Sequence, residues 1–387
     1  MLNLRSMILV TTAVFTSFSG VVVAENSQTE EEIITVVGTR TERSLDEVAT
    51  SISVISAIDI EEQLYRDIAD LVKYEPGVSV GGTGSRFGLS GFIIRGMGGN
   101  RVQTLVDGVR SPDEFSFGPF LSSRRDFVDI DSVETVEISK GSGSSLYGSD
   151  ALGGVVSFTT KGPSRYVSSD EPFYAGVKYG YSGEDNSSNG TLTLAGGNDR
   201  ISGLVSYTYR DAEETETNGT VAGTGSTREE ADPAEIESNN VSLKVDISPW
   251  EDHTLQIGYD LFEHENQSWI LSDWGSVVYG TSIKSRDAFD ERERDKLSFD
   301  YLYSGEFLFL DSVHVKFYQQ ESESNQMMNE IRQGRTGSAT RFRYSEFKQE
   351  IDGVYAQLGS MFDIGNSRHT LTYGADYYTT YSETTRN

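Results

Sequence analysis

The sequence predicts a compact mixed α/β domain followed by antiparallel strands of a transmembrane β-barrel. Three observations carry this. The second half of the chain repeats segments in which apolar and polar residues alternate, as in Val241-Ser242-Leu243-Lys244-Val245-Asp246-Ile247, the period of a strand with one face in lipid and one in a lumen. Short turns alternate with long polar segments between these strands, an asymmetry of barrels that span a membrane. The chain also opens with the features of an export signal.

Arg5 supplies an early positive charge, residues 7–15 an apolar core, and Val22-Val23-Ala24 a small-residue cleavage site before Glu25. Thr11, Thr12, Thr16, Ser17 and Ser19 interrupt the apolar run, so residues 1–24 read as a signal peptide rather than a membrane helix. Residues 25–44 form a polar leader without periodicity, expected to be flexible. Within it, Ile33-Ile34-Thr35-Val36-Val37 is a β-prone run suited to adding a strand to a partner's sheet edge, although an ordinary first strand has the same composition.

Residues 45–161 read as a domain, and about 120 residues suffice for a core of their own. Residues 50–55 alternate as a strand. Residues 59–74 read as one helix with Ile60, Leu64, Ile68, Leu71 and Val72 on one face, closed by Pro76-Gly77. Residues 102–106, 133–139 and 154–160 read as further short strands.

From residue 173 to 387 the strands run to roughly ten residues, the length a tilted membrane strand needs. Leu255, Ile257, Tyr259 and Leu261 alternate with Gln256, Gly258 and Asp260. Leu297, Phe299, Tyr301 and Tyr303 repeat the pattern, as do Leu371, Tyr373, Ala375 and Tyr377. These apolar sets are expected to face lipid and the residues between them the lumen. Short turns are expected at 197–200, 249–253, 305–311 and 363–368, and long polar loops at 212–238, 264–295 and 322–344. This gives about nine strands, whereas a single-chain barrel closes on an even number because an open edge in lipid leaves backbone groups unpaired. The chain is therefore expected to be the N-terminal part of a longer barrel.

The 387 residues carry 60 acidic and 32 basic side chains, a net charge of -28, which excludes a nucleic-acid partner because phosphates need a basic footprint. The mean hydropathy of -0.40 suits alternating barrel strands as well as a soluble chain. With no cysteine there are no disulfides or thiolate metal sites. The chain has four histidines, and neither a His-Glu-x-x-His nor a Gly-x-Ser-x-Gly motif, so no catalytic site, metal site or intrinsic cofactor is expected.

Two glycine-rich stretches remain. One is Ile94-Arg95-Gly96-Met97-Gly98-Gly99-Asn100-Arg101, followed by Leu105-Val106-Asp107-Gly108-Val109-Arg110. The other is Val136-Glu137-Ile138-Ser139-Lys140-Gly141, followed by Ser145-Leu146-Tyr147-Gly148-Ser149-Asp150-Ala151-Leu152-Gly153-Gly154-Val155. Neither leads into a Gly-Lys-Ser/Thr and a helix, so tight turns and close backbone approach explain the glycines better than a phosphate cradle.

These motifs resemble the plug domain of TonB-dependent outer-membrane receptors, in particular the haem/haemoglobin receptor branch. The resemblance implies that residues 45–161 plug a barrel of about 22 strands. It implies that Ile33, Ile34, Thr35, Val36 and Val37 form the TonB box, and that Arg95, Gly96, Asn100, Arg101, Asp107, Gly108, Tyr147, Gly148, Gly153 and Gly154 are plug-motif positions. It also implies residence in a Gram-negative outer membrane, with TonB, outer-membrane lipid and haem or haemoglobin as partners, haem being cargo. Plug arginines of such receptors pair with carboxylates of the barrel wall, which casts Arg95, Arg101 and Arg110 in that role.

Haem iron takes His or Tyr ligands, and receptors of this branch place one on the plug and one on an extracellular loop. The histidines here are His253, His264, His314 and His369, none of them in the plug. Counting parity from Asp260 and Phe262, His264 points inward at the outer end of its strand and is the haem-ligand candidate, with a solvated loop-end histidine as the plain alternative. His253 and His369 fall at turns, His314 lies low and toward the plug, and Tyr147 is expected to pack. A ferric-siderophore or cobalamin receptor built on the same machinery stays open, as does a passive pore or adhesin.

Overall fold

The computed structural model describes residues 34–35, 40, 43–44, 48, 50–82, 86–118, 121–307, 310–365 and 367–387. The expected signal peptide and Ile33, Val36 and Val37 lie outside them. β1 (Ile34–Thr35) and β2 (Arg43–Ser44) form a two-residue antiparallel ladder.

The plug begins with β3 (Ile52–Ser56) and α1 (Ala57–Glu62). Ser56 caps the helix reciprocally: its Oγ accepts the Asp59 amide at 3.2 Å, and the Asp59 carboxylate accepts the Ser56 amide at 2.8 Å. The single helix expected over 59–74 is instead two. Leu64 turns to φ 54 and stands 76 % exposed, leaving the apolar face it was assigned. Asp67 then starts α2 (Ile68–Leu71) by accepting the amides of Ala69 and Asp70 at 2.8 and 2.9 Å. The helical period continues through the break, but the capping carboxylate offers the backbone a competing set of partners.

There follow β4 (Val78–Gly81), β5 (Gly91–Ile94), β6 (Val102–Val106), β7 (Val109–Arg110), β8 (Phe115–Ser116), β9 (Ser122–Ser123), β10 (Val133–Lys140), α3 (Ser144–Tyr147) and β11 (Gly154–Thr160). Five strands form one sheet in the order β3-β10-β11-β6-β7, parallel only between β11 and β6. Ile60, Leu71, Ile94, Val136, Ile138, Val156 and Phe158 pack as its core. Phe158 is fully buried, a contribution of about 1.5–3 kcal/mol for one side chain.

The wall consists of β12 (Phe173–Ser182), β13 (Ser187–Gly197), β14 (Ile201–Glu213), β15 (Ala234–Trp250), β16 (His253–Trp269), β17 (Val277–Val278), β18 (Thr281–Phe307), β19 (Leu310–Gly334), β20 (Gly337–Ile364) and β21 (Ser367–Arg386). All are antiparallel in chain order, with the short β17 a side branch on β18, so nine strands form the wall path. β12 and β21 are its two edges among the described residues, and the barrel is not closed. The alternation works as read: Leu243 and Val245 are 36 % and 38 % exposed, whereas Ser242 and Lys244 between them are buried. Among the described residues no helix is long and apolar enough to cross a membrane.

The short turns fall where expected, but only one of the three long loops does, between β14 and β15. Segments 264–295 and 322–344 are mostly strand: His264 pairs with Arg292, and β19 and β20 stay paired out to Gly334 and Gly337. The first outward rows of these extensions are acidic rather than apolar. Glu263, Glu293 and Glu323 sit opposite one another across three strands, and Glu237, Glu265 and Glu291 form the next row. Like charges in direct opposition destabilise a sheet in lipid and are tolerated where water and salt screen them. Pairing therefore outlasts the apolar alternation, which is why hydropathy ended these strands too early.

Candidate functional site: the plug–wall interface

Asp107 and Gly108 turn β6 into β7, with Val106 opposite Val109. Both central residues have positive φ, 52° and 78°, the mark of a two-residue type I′ hairpin for which Asp-Gly is suited. The turn aims the Asp107 carboxylate at the wall, and β11 fixes its rotamer: Oδ1 accepts the Thr160 amide and Oδ2 accepts the Thr160 hydroxyl, each at 2.8 Å. Three wall lysines meet it there. Lys244 Nζ lies 3.4 Å from Oδ1, Lys296 Nζ 3.2 Å from Oδ2, and Lys316 Nζ donates to the Asp107 carbonyl. Burial alone would raise this carboxyl, but Lys244, Lys296 and Lys316 override it and hold it well below the usual carboxylate range. Wall carboxylates share the load, Asp260 at 3.2 Å from Lys296 and Asp300 at 3.2 Å from Lys316.

A second cluster forms on the 3-10 turn before β10. Arg210 of β14 donates from Nη2 to Asp129 at 2.6 Å and to Asp131 at 2.7 Å. Asn189 and Thr191 of β13 add bonds to Asp131 at 3.0 and 3.2 Å, and Lys178 of β12 pairs with its other oxygen. Burial works to raise the Asp131 carboxyl, and Arg210 and Lys178 bring it below its ordinary value.

Toward the long-loop end, Arg292 Nη1 donates to the Asp126 carbonyl at 2.9 Å. Burial pushes the Asp126 carboxyl up to about 6 against the opposing pull of Arg292. Arg86 of the plug faces Asp290 of β18 at 3.4 Å. Two wall glutamines grip the plug from both ends of their amides: Gln326 accepts the Ser122 amide and donates to the Ser122 carbonyl, each at 2.9 Å, and Gln349 accepts the Asp113 amide at 2.8 Å and donates to the Asp113 carboxylate at 3.0 Å.

Toward the short-turn end, a cavity of about 610 Å³ opens between plug and wall, lined in part by Arg40, Asp107, Tyr147, Lys244, His314 and Tyr355. The Arg40 guanidinium lies 3.9 Å from the Tyr147 ring centroid and 5.3 Å from that of Tyr355, and donates to the Leu146 carbonyl at 2.8 Å. Burial pushes the Tyr147 phenol up to about 12, so it stays neutral.

A mixed-sheet plug seated by ion pairs against tall antiparallel strands is one arrangement, and the comparisons place it. Residues 44–155 match the model of the TonB-dependent receptor plug domain. The chain belongs to the TonB-dependent receptors. It is 33 % identical over 295 residues to hemoglobin-binding protein A of Haemophilus influenzae, covering 72 % of this chain and 29 % of that protein. It is 31 % identical over 349 residues to hemoglobin and hemoglobin-haptoglobin-binding protein B of the same organism, covering 84 % and 32 %. The chain thus spans about a third of the length of the curated relatives it matches. The FrpB iron transporter from Neisseria meningitidis superposes at a TM-score of 0.61 with 16 % identity, covering 87 % of this chain and 61 % of its own. The copper transporter OprC does so at 0.63 with 17 %, covering 87 % and 47 %. At such identities these two likenesses speak for the fold.

Ion pairs between plug and wall run in both senses: plug arginines meet wall carboxylates, as at Arg66–Glu184 and Arg86–Asp290, and plug carboxylates meet wall cations at Asp107, Asp129 and Asp131. Arg110 does reach Asp376 of β21, at 3.9 Å, and its guanidinium lies 4.6 Å from the Tyr378 ring centroid. Arg101 instead donates to the Gly98 carbonyl inside the plug, and Arg95 is exposed and makes no ion pair among the described residues. Plug carboxylates facing wall cations form the two largest clusters. The signal for them was present, since Lys244, Lys296 and Lys316 occupy inward positions of alternating strands where an unpaired cation would be costly.

The other motif residues serve the plug's own architecture. Asn100 brackets Glu114, donating to its carbonyl at 3.1 Å and accepting its amide at 2.8 Å. Gly96 and Gly148 occupy positive-φ turns. A Cβ on Gly154 would lie 2.4 Å from the Ser139 carbonyl oxygen, and one on Gly153 would lie 2.9 Å from Met97 Cβ. His264 lies on the inward parity of β16, half-buried, opposite Arg292. His314 bonds Asp300 at 2.7 Å, His253 bonds Tyr301 at 2.9 Å, and His369 stacks on Phe362. Of the β-prone run, Ile34 and Thr35 are placed in β1.

Proposed function

We propose that this chain serves active haem uptake, with haem drawn from haemoglobin, in a TonB-dependent receptor of a Gram-negative outer membrane. The observation that carries the reading is the 33 % identity to hemoglobin-binding protein A over most of the chain. Haem is cargo here rather than a resident cofactor, and the receptor performs no covalent chemistry. Long-loop segments at the outer end receive the ligand, with His264 as an iron ligand on the wall side.

TonB pairs with residues 33–37 by strand addition and pulls from the periplasm. Among the described residues the ladder between β1 and β2 pairs Ile34 with Ser44 and Thr35 with Arg43, and strand addition exchanges these bonds for those of a partner strand. Traction then reaches Arg40, which ties the leader to Tyr147 on the plug and approaches Tyr355 on the wall. The charged clusters at Asp107 and Asp131 hold the plug until it is pulled. Ion pairs suit this task, because they keep orientation while seated and each partner is readily hydrated once parted.

Two measurements test the reading. Titration of the receptor with haem is expected to shift the Soret band at a defined stoichiometry. Deletion of residues 33–37 is expected to abolish uptake while leaving surface binding intact. Absence of a Soret shift alongside tight ferric-siderophore binding would overturn the cargo, and uptake that survives the deletion would overturn the energy coupling.

A further inference from the structure

Three consecutive inward positions of β18 carry cations: Arg292, Arg294 and Lys296, all at most 7 % exposed. Two residues of strand separate each from the next, about 6.7 Å along the wall. The plug partners two of them, the Asp126 carbonyl for Arg292 and the Asp107 carboxylate for Lys296. Arg294 is different. It is 2 % exposed, and its Nε and Nη1 are buried without a hydrogen-bond partner among the described residues. The carboxylates that attract it most, Asp260 and Asp107, are each already engaged by Lys296 at 3.2 Å.

A buried guanidinium with idle donors is a poor stabilising device. Replacing such a charge with a neutral group of similar size is commonly neutral or favourable to stability. Its donors point to a ligand that is absent while the plug is seated. The neighbouring rungs indicate the chemistry, since the groups now satisfying them are oxygens on the one element that moves.

We propose that Arg292, Arg294 and Lys296 form a cationic ladder that receives the carboxylates of an anionic porphyrin as the plug shifts. Asp107 and the Asp126 carbonyl occupy the outer two rungs until then. Withdrawal of the plug frees Lys296 and Arg292 together, and the two propionates of haem can then engage adjacent rungs in turn while descending the wall. Arg294, free of a hydrogen-bonded partner at the centre, bridges the step between them. The inference rests on the haem reading above.

The test uses the chromosomal receptor gene in cells with no other route for haem. Arg294→Gln and Arg294→Lys variants are compared with the parent for uptake of haem and of haem dimethyl ester, whose propionates are uncharged. Surface binding without energy coupling and the melting of the membrane-embedded receptor are measured alongside. The expectation is that Arg294→Gln lowers haem uptake about tenfold, the loss of one charge-assisted hydrogen bond. Ester uptake, surface binding and melting should hold, and Arg294→Lys should retain most haem uptake. Unchanged haem uptake in Arg294→Gln would overturn the ladder, as would an equal fall for haem and ester or a lowered melting temperature shared by both variants. Parent cells that import no haem would overturn the cargo reading and the ladder with it, a result distinguishable from the others because it appears before any substitution.

Discussion

Lys296 Nζ lies 3.2 Å from Asp107 of the plug and 3.2 Å from Asp260 of the adjacent wall strand, so one buried ammonium is shared between plug and wall. Seating the plug completes its charge balance, and removing the plug leaves half of it.

Asp107→Asn follows directly. The substitution keeps the turn and the main-chain carbonyl that Lys316 bonds, and removes the carboxylate that Lys244 and Lys296 share. Docking of the plug is expected to weaken by about 3–5 kcal/mol, the usual cost of stranding buried partners. Denaturant melts of the receptor, or protease access to the plug, would read this. A variant as stable as the parent would show that the wall carboxylates suffice.

The same carboxylates set a dependence on pH, with opposite signs. The Asp107 carboxyl is depressed below its unfolded value of about 3.9, so its stabilisation is present above about pH 4 and is lost as pH falls from there. Asp126 is raised to about 6, so its contribution is present below about pH 4 and is lost as pH rises through about 6. Stability against pH should therefore lose its acid limb in Asp107→Asn and its limb between pH 4 and 6 in Asp126→Asn.

Gly154→Ala tests the plug's interior. The added methyl would meet the Ser139 carbonyl oxygen at 2.4 Å and Ile94 Cδ1 at 2.6 Å, where β10 and β11 pair. Overpacking of this kind costs about 1–3 kcal/mol. The expected result is a lower plug melting temperature with little change in the wall strands, followed by tryptophan fluorescence, since Trp250, Trp269 and Trp274 all lie outside the plug.

Much of this was legible beforehand. The strands 102–106 and 154–160 and the outward Leu243 and Val245 obey local rules of alternation and turn chemistry, so the sequence contains them. The exceptions share a cause. Leu64 left its helix because Asp67 offered a better local cap, and residues 264–295 stayed paired because backbone hydrogen bonding does not require apolar side chains. The charged clusters depend on which strand faces which part of the plug. Lys244, Lys296 and Lys316 are separated by up to 72 positions and converge only through the register of β15, β18 and β19.

Thr35→Pro tests the leader. Proline removes a backbone donor and is confined to strand edges. Energy-dependent uptake is expected to fall sharply while ligand binding at the cell surface stays intact, measured by uptake of labelled haem at saturating ligand. Uptake at the parent rate would show that this segment does not engage its partner as a strand.

His264→Ala is expected to weaken haem binding about tenfold or more if the imidazole ligates iron, with a changed Soret position as the diagnostic. An unaltered spectrum would leave His264 as a lumen-facing side chain beside Arg292.

On the outward face of β16 the side chains pass from Leu261 to Glu263 in one step of the pleat, and on β18 from Leu297 to Asp295 and Glu293. That boundary works as a waterline. Sliding the wall inward by one pleat would submerge Glu263, Glu293 and Glu323 together, while sliding it outward would strip Leu255 and its row of lipid. The height of the wall in a bilayer is thereby set by its own side chains.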